Sequence, residues 1–213
     1  MYSKIDKGFQ VAFDIAWGAF VSGSIPIGAC ILNENDEVVS VGQNQIFTDG
    51  DGLISHHQLA HAEANAILQI SEYPRSNEHQ NIRKYTLYTT MEPCPFCFGA
   101  IVMGSIRHVK FAARDKWAGA ASLNSSSEYI KQKSIIFNGP FEDIEFVQIA
   151  IQTCFEISRK RVAEVLLTAW SEDCPKGVET GKRLHESGEL SALATKGANS
   201  QDAYDFVLAR MSN

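Results

Sequence analysis

Two short segments carry residue types that can do chemistry together: His61-Ala62-Glu63 and Pro93-Cys94-Pro95-Phe96-Cys97. One imidazole and two thiolates are standard zinc ligands, and three protein ligands leave a fourth position open for water, as in catalytic sites. A structural site needs a fourth protein ligand. No other Cys or His motif supplies an obvious one, although His56 and His57 lie close in sequence. A redox Cys-x-x-Cys pair would leave His61 and Glu63 without a task. Glu63, two residues beyond His61, is placed to reach a water in the open position without being a ligand, and so to shuttle protons.

These residues need elements that hold them. Apolar positions Ala60, Ala64, Ile67 and Leu68 predict a helix over 59–70, with His61 near its start. The β-branched and aromatic run 85–90 predicts a strand, and Cys94 and Cys97 then sit one turn apart where the next helix begins. Helix N-termini carry partial positive charge and free amides, which favour thiolate over thiol. Around this centre, 5–20 reads as an amphipathic helix built on Phe9, Phe13, Ala16 and Trp17. The runs 27–32 and 38–41 form a hairpin, and 108–113 and 134–137 are further strands. Strands alternating with helices predict an α/β domain with helices on both faces of a sheet. Beyond Gly139-Pro140 the pattern is helical, with a break expected near 158–161. Asp173 is expected to cap a helix that has Pro175 in its first turn and Gly188 beyond its end, and Ser200 to cap the last helix.

Composition bounds the function classes. Hydrophobic residues make up 45% of the 213 and charged residues 21%, which excludes a largely disordered chain. No apolar run reaches the roughly 18–20 residues of a membrane span, and the first residues lack the apolar core of a signal peptide. The expected location is therefore the cytoplasm, with no membrane partner. Five cysteines, an odd number, do not read as a disulfide framework. The formal charge of −6 weighs against a dedicated nucleic-acid binder, unless folding gathers Lys110, Arg114 and Lys116 into a patch.

The spacing matches the H-x-E…P-C-x-x-C signature of zinc deaminases, and the chain resembles the cytidine deaminase-like superfamily. Further segments are similar to its purine-acting branch, which includes bacterial tRNA adenosine deaminases and guanine deaminases. These are Pro26-Ile27-Gly28-Ala29, Gly42-Gln43-Asn44, Thr90-Met91-Glu92-Pro93-Cys94, Gly99-Ala100-Ile101 and Ala113-Arg114-Asp115. The resemblance implies a three-layer α/β/α sandwich, with a zinc-dependent deaminase domain over 1–140 and a C-terminal helical extension over 141–213 packed on it. It implies Zn2+ as cofactor, His61, Cys94 and Cys97 as its ligands, and Glu63 as the proton shuttle. Asn44 matches a polar residue that contacts base or sugar, although Asn also suits a turn cap there. The amide of Ala62 or Cys94 would steady developing charge. The implied reaction adds water to the ring carbon that bears an amino group and releases ammonia.

The segment between Asn44 and His61 departs from those relatives. It is long and reads Ser55-His56-His57-Gln58-Leu59-Ala60 where purine deaminases usually have an Asp-Pro-Thr-type run. That loop normally helps to shape the substrate pocket, and Phe47 and Trp117 are candidates to line one. The expected substrate is a small amino-substituted nucleobase, nucleoside or related heterocycle, purine-type first; the alternative is an adenosine in a tRNA loop. A homodimer is implied by the resemblance, and Phe96, Phe98 and Met103 give the second zinc helix more apolar surface than one face readily buries.

Overall fold

In the interior strand β1 (Gly28–Leu32) every residue is buried, and its side chains serve two cores in alternation. Cys30 and Leu32 point into one, Ala29 and Ile31 into the other, as the two-residue period of a strand requires. The computed structural model describes residues 1–70, 82–159 and 164–211. With β2 (Val38–Gln43), β3 (Thr86–Met91), β4 (His108–Ala113) and β5 (Ile136–Asn138), β1 forms a five-stranded sheet ordered β2-β1-β3-β4-β5. β1 runs antiparallel to both neighbours, whereas β3, β4 and β5 are mutually parallel. The chain therefore adopts the cytidine deaminase-like α/β fold.

Helix α1 (Lys7–Ser22) buries Phe9, Phe13, Ala16 and Trp17 and stops at Gly23, whose φ of 87° is the left-handed cap that glycine supplies. Helices α2 (Ala62–Leu68) and α3 (Pro95–Met103) cover the opposite face. The short α4 (Glu128–Lys131) precedes β5. The helices beyond the sheet are α5 (Glu142–Ser158), α6 (Glu164–Asp173), α7 (Pro175–Ser187), α8 (Glu189–Thr195) and α9 (Ser200–Leu208). α5 packs on β4, α7 and α9 and is buried almost continuously from Ile144 to Phe155. On the α1 side, Phe13 meets Tyr204 edge-on at 5.3 Å and Trp17 Nε1 donates to the Ala198 carbonyl at 2.7 Å. None of the described helices is long and apolar enough to cross a membrane.

Some boundaries differ from the sequence reading. α2 is shorter than 59–70, because Ala60 and His61 are still in the turn that swings the chain into the helix. Cys174, not Asp173, is the N-cap of α7; Asp173 ends α6, and its carboxylate is held by the Arg114 guanidinium at 3.4 Å. Asn199, not Ser200, caps α9, in a capping box with Asp202 that satisfies two end amides reciprocally. The break expected near 158–161 begins where α5 ends at Ser158; residues 160–163 lie outside the described ones.

Candidate active site and metal centre

Both ligand segments stand at helix starts. His61 is the N-cap residue of α2 and Cys94 that of α3, each with extended backbone. Pro95 follows at the first helical position, where its missing N–H costs nothing. Neither N-cap side chain bonds its own helix; they turn toward each other. His61 Nδ1 lies 3.5 Å from Cys94 Sγ and 3.5 Å from Cys97 Sγ. The three ligand atoms all fall within 4.8 Å of one another. A tetrahedral zinc with ordinary Zn–N and Zn–S bonds separates N from S by about 3.6 Å, so this triangle fits the ion.

Close packing sets where α2 lies. A Cβ on Gly42 of β2 would strike the Ala62 carbonyl and the Ala66 amide nitrogen. Glycine there lets α2 press directly on the sheet and brings His61 and Glu63 level with the end of β3. Asn65, buried on α2, donates to the carbonyls of Gln43 at 3.2 Å and Ile54 at 2.9 Å and accepts from the Ile54 amide, so the long loop is stitched to the helix. On the other side, the Glu92 carboxylate accepts from the amides of Asp115 at 3.2 Å and Ala121 at 3.1 Å, and the Ala120 amide donates to the Pro93 carbonyl. The loop after β4 thereby holds the turn that carries Cys94.

The electrostatics follow from burial and mutual contact. The Cys94 thiol is drawn down to about 4, chiefly by the neighbouring Cys97 thiol and further by His61. Cys97, beside Cys94 and buried, is pushed well up. A bound dication reverses that direction, since a coordinating thiol is deprotonated. His61 is raised by its contact with Cys94 and by the charge of Glu63. Glu63 is 3% exposed, and its carboxyl is raised first by burial and then by the Cys94 charge. Its Oε2 accepts from Cys97 Sγ at 3.3 Å. A carboxyl raised in this way takes up and returns a proton more readily near neutral pH than an exposed one.

The other sequence-predicted residues fall in different places. Asn44 is buried, and its Oδ1 accepts from Ser24 Oγ at 3.0 Å and from the Ile46 amide at 3.2 Å; its carboxamide nitrogen has no protein partner among the described residues. Ala62 is the first residue of α2, where amides lack intrahelical partners. His56 is exposed and pairs with Asp49 at 3.3 Å, and His57 accepts from the Leu59 amide, so neither joins the metal triangle. Trp117 is 57% exposed. Phe98 is buried against Phe137, which removes it from the expected exposed apolar surface; Phe96 and Met103 remain on that surface. Phe96 also meets the His61 ring edge-on at 5.6 Å.

Two contacts that the sequence did not reveal frame this end of the sheet from the C-terminal helices. Trp170 of α6, buried against Met91 and Ala113 at the ends of β3 and β4, donates Nε1–H to Asp115 Oδ1 at 3.0 Å. The Arg159 guanidinium stacks 3.4 Å from the centre of the Phe47 ring on the long loop. The cations Lys110, Arg114 and Lys116 do not gather into a patch. They pair with Asp6 at 2.7 Å, Glu145 at 3.0 Å and Glu172 at 3.4 Å respectively.

Residues 2–113 match the family model for the cytidine and deoxycytidylate deaminase zinc-binding region. A cytosine deaminase of Candida albicans is 29% identical over 167 residues, 78% of this chain and 94% of that protein. A tRNA-specific adenosine deaminase of Haemophilus influenzae is 30% identical over 115 residues, 54% of this chain and 61% of that protein. Among solved structures, a guanine deaminase from Nitrosomonas europaea superposes with a TM-score of 0.51 at 15% identity, covering 70% of this chain and 82% of that one, which bears on the fold alone.

Proposed function

Since the chain belongs to the family of the cytidine and deoxycytidylate deaminase zinc-binding region, we propose that it hydrolyses the exocyclic amino group of a free nucleobase or related small amino-heterocycle. His61, Cys94 and Cys97 hold the zinc, which when bound supplies Lewis-acid activation of water. Glu63 Oε2 would take the two protons of the attacking water in turn and pass one to the ring nitrogen and one to the departing amine, so that the water oxygen becomes the ring carbonyl and the amino group leaves as ammonia. The free carboxamide nitrogen of Asn44 donates to the ring, and the Ala62 amide at the start of α2 faces developing negative charge.

The frame around the site carries the preference for a small substrate. Trp170 and Arg159 tie the C-terminal helices to the loops on either side of the metal centre, which favours a base-sized chamber over an open RNA platform. The match to a cytosine deaminase continues through most of the chain, whereas the tRNA deaminase match covers about half of it. Pairing of Lys110, Arg114 and Lys116 also withdraws the cations that RNA phosphates would need. Purine-type motifs and a cytosine deaminase relative share one amidine chemistry, so both ring systems belong in the test. Ammonia release is measured with cytosine, guanine, adenine and their nucleosides beside a tRNA stem-loop. Turnover of a free base is expected; inosine in the stem-loop with no ammonia from any small substrate would overturn the reading.

We further propose a cytoplasmic homodimer. Phe96 and Met103 lie two helical turns apart on the exposed side of α3, with open space over Gly99 between them. All five cysteines are free thiols, as suits a reducing compartment.

A further inference from the structure

At the far end of the sheet from the metal triangle lies a hollow of about 510 Å³ lined by Arg83, Arg107, His108, Tyr129, Lys133 and Ser134. Its composition follows from the topology. β3, β4 and β5 are parallel, in registers that place Thr86 beside His108 and His108 beside Ile136. The residues just before each strand therefore converge on one edge: Arg83 before β3, Arg107 before β4, Lys133 and Ser134 before β5. Cys94 follows the opposite end of β3. The five steps from Thr86 to Met91, at roughly 3.3 Å each, put this edge about 17 Å away, before any loop is counted.

The charge on this edge is one-sided. Three other cations on or beside β3 and β4 are paired, Lys84 with Glu34, Lys110 with Asp6 and Arg114 with Glu145. Among the described residues, Arg83, Arg107 and Lys133 have no carboxylate within ion-pair distance, and no carboxylate lines the hollow. The carboxylate on α4, Glu128, reaches toward the Gln132 amide at 3.4 Å. Arg83 and Arg107 are near enough to repel each other, which depresses the Arg107 guanidinium, after the larger effect of its burial. Lys133 is held over the Tyr129 ring at 4.3 Å, so its ammonium is positioned at the rim. In a protein with a formal charge of −6, three cations kept together in a concavity form an anion cradle, and the planar fork of arginine matches phosphate oxygens.

The geometry points to a second ligand site, a cradle for a phosphate group, formed by Arg83, Arg107 and Lys133 with Tyr129 as an aromatic wall, separate from the metal centre. Its ligand is a phosphate carried either by a small phosphoester or by a nucleic-acid backbone. The probes are pyrophosphate and a short single-stranded RNA, titrated calorimetrically into the full-length protein at constant ionic strength. Pyrophosphate is expected to bind at one site per chain, with affinity falling tenfold or more in Arg107→Gln and in Lys133→Gln. Among the described residues the Lys133 ammonium rests on the Tyr129 ring and makes no ion pair, so Lys133→Gln is the variant least able to disturb folding. Zinc content and deamination rate are expected to be unchanged in both variants. RNA binding much tighter than pyrophosphate, and weakened by the same substitutions, would identify a backbone phosphate as the source; pyrophosphate binding without RNA binding would identify a small phosphoester. Absence of binding by both probes, or unchanged affinity in both variants, would overturn the assignment.

Discussion

Gly42→Ala tests whether α2 is positioned by direct contact with the sheet. The added Cβ lands on the Ala62 carbonyl and the Ala66 amide nitrogen, both main-chain atoms, so no side chain can rotate out of the way. The helix must lift or the strand must bow. Forced overpacking of this kind costs about 1–3 kcal/mol. For a chain of this size each kcal/mol lowers the melting temperature by roughly 2–4 °C, so the expected fall is about 2–12 °C. Because α2 carries His61 and Glu63 while Cys94 and Cys97 stay on α3, the shift also opens the metal triangle on one side. Zinc affinity is expected to fall with stability. Gly99→Ala is the control: nothing lies within 4 Å of its added Cβ, and in mid-helix alanine is favoured over glycine by about 0.5–1 kcal/mol. Thermal melts and competitive zinc titrations of the two variants decide the matter. A Gly42→Ala protein with wild-type melting temperature and zinc affinity would refute the packing argument.

Cys94→Ala should lose the metal and all activity, read by metal analysis of the purified variant; full zinc retention would contradict the ligand assignment. Trp170→Phe keeps the packing on Met91 and Ala113 but removes the hydrogen bond to Asp115, a loss of about 1.5–3 kcal/mol for a bond to a charged group, measured by denaturant unfolding. The Glu156 carboxyl is raised by burial, so the folded chain keeps its proton to higher pH than the unfolded chain. Its contribution to stability is therefore lost as pH rises through the range between the unfolded and folded values. Glu156→Gln should flatten that slope and be the more stable protein on the alkaline side, as melts across a pH series will show. Light scattering should give twice the chain mass, and a monomer would remove the dimer from the account.

The metal triangle was legible because a few residue types at short spacing carry it. His61, Cys94 and Cys97 needed only two helix starts to meet, and the turn residues and β-branched runs around them mark those starts. The sheet was legible for a similar reason, since β1 is a continuous apolar run and β3 a β-branched and aromatic one, each bounded by turns. Residues that support the site through distant partners were not. Glu92 acts through amides some 23 and 29 positions on, and Trp170 through Asp115, 55 positions back. Such pairings are set by tertiary packing and leave no local period. α3 is apolar on all sides, so its sequence could not say that Phe98 turns inward while Phe96 and Met103 turn out. Asp173 carries a good cap residue's chemistry, but Arg114 claims its carboxylate and the cap moves to Cys174.

In the proposed reaction a zinc held by His61, Cys94 and Cys97 works with one buried carboxyl, Glu63, to release ammonia from a small amino-heterocycle. Wild type and Glu63→Gln, each analysed for zinc and assayed for ammonia release on the same free-base panel, test it most directly. Glu63→Gln keeps the size and burial of the side chain but cannot accept a proton. The account predicts about one zinc per chain in both proteins and a fall in kcat of about 10²–10⁴, equivalent to roughly 3–5 kcal/mol of transition-state stabilisation. A Glu63→Gln protein that turns over at the wild-type rate, or a zinc-loaded wild type that releases no ammonia from any base, would contradict it.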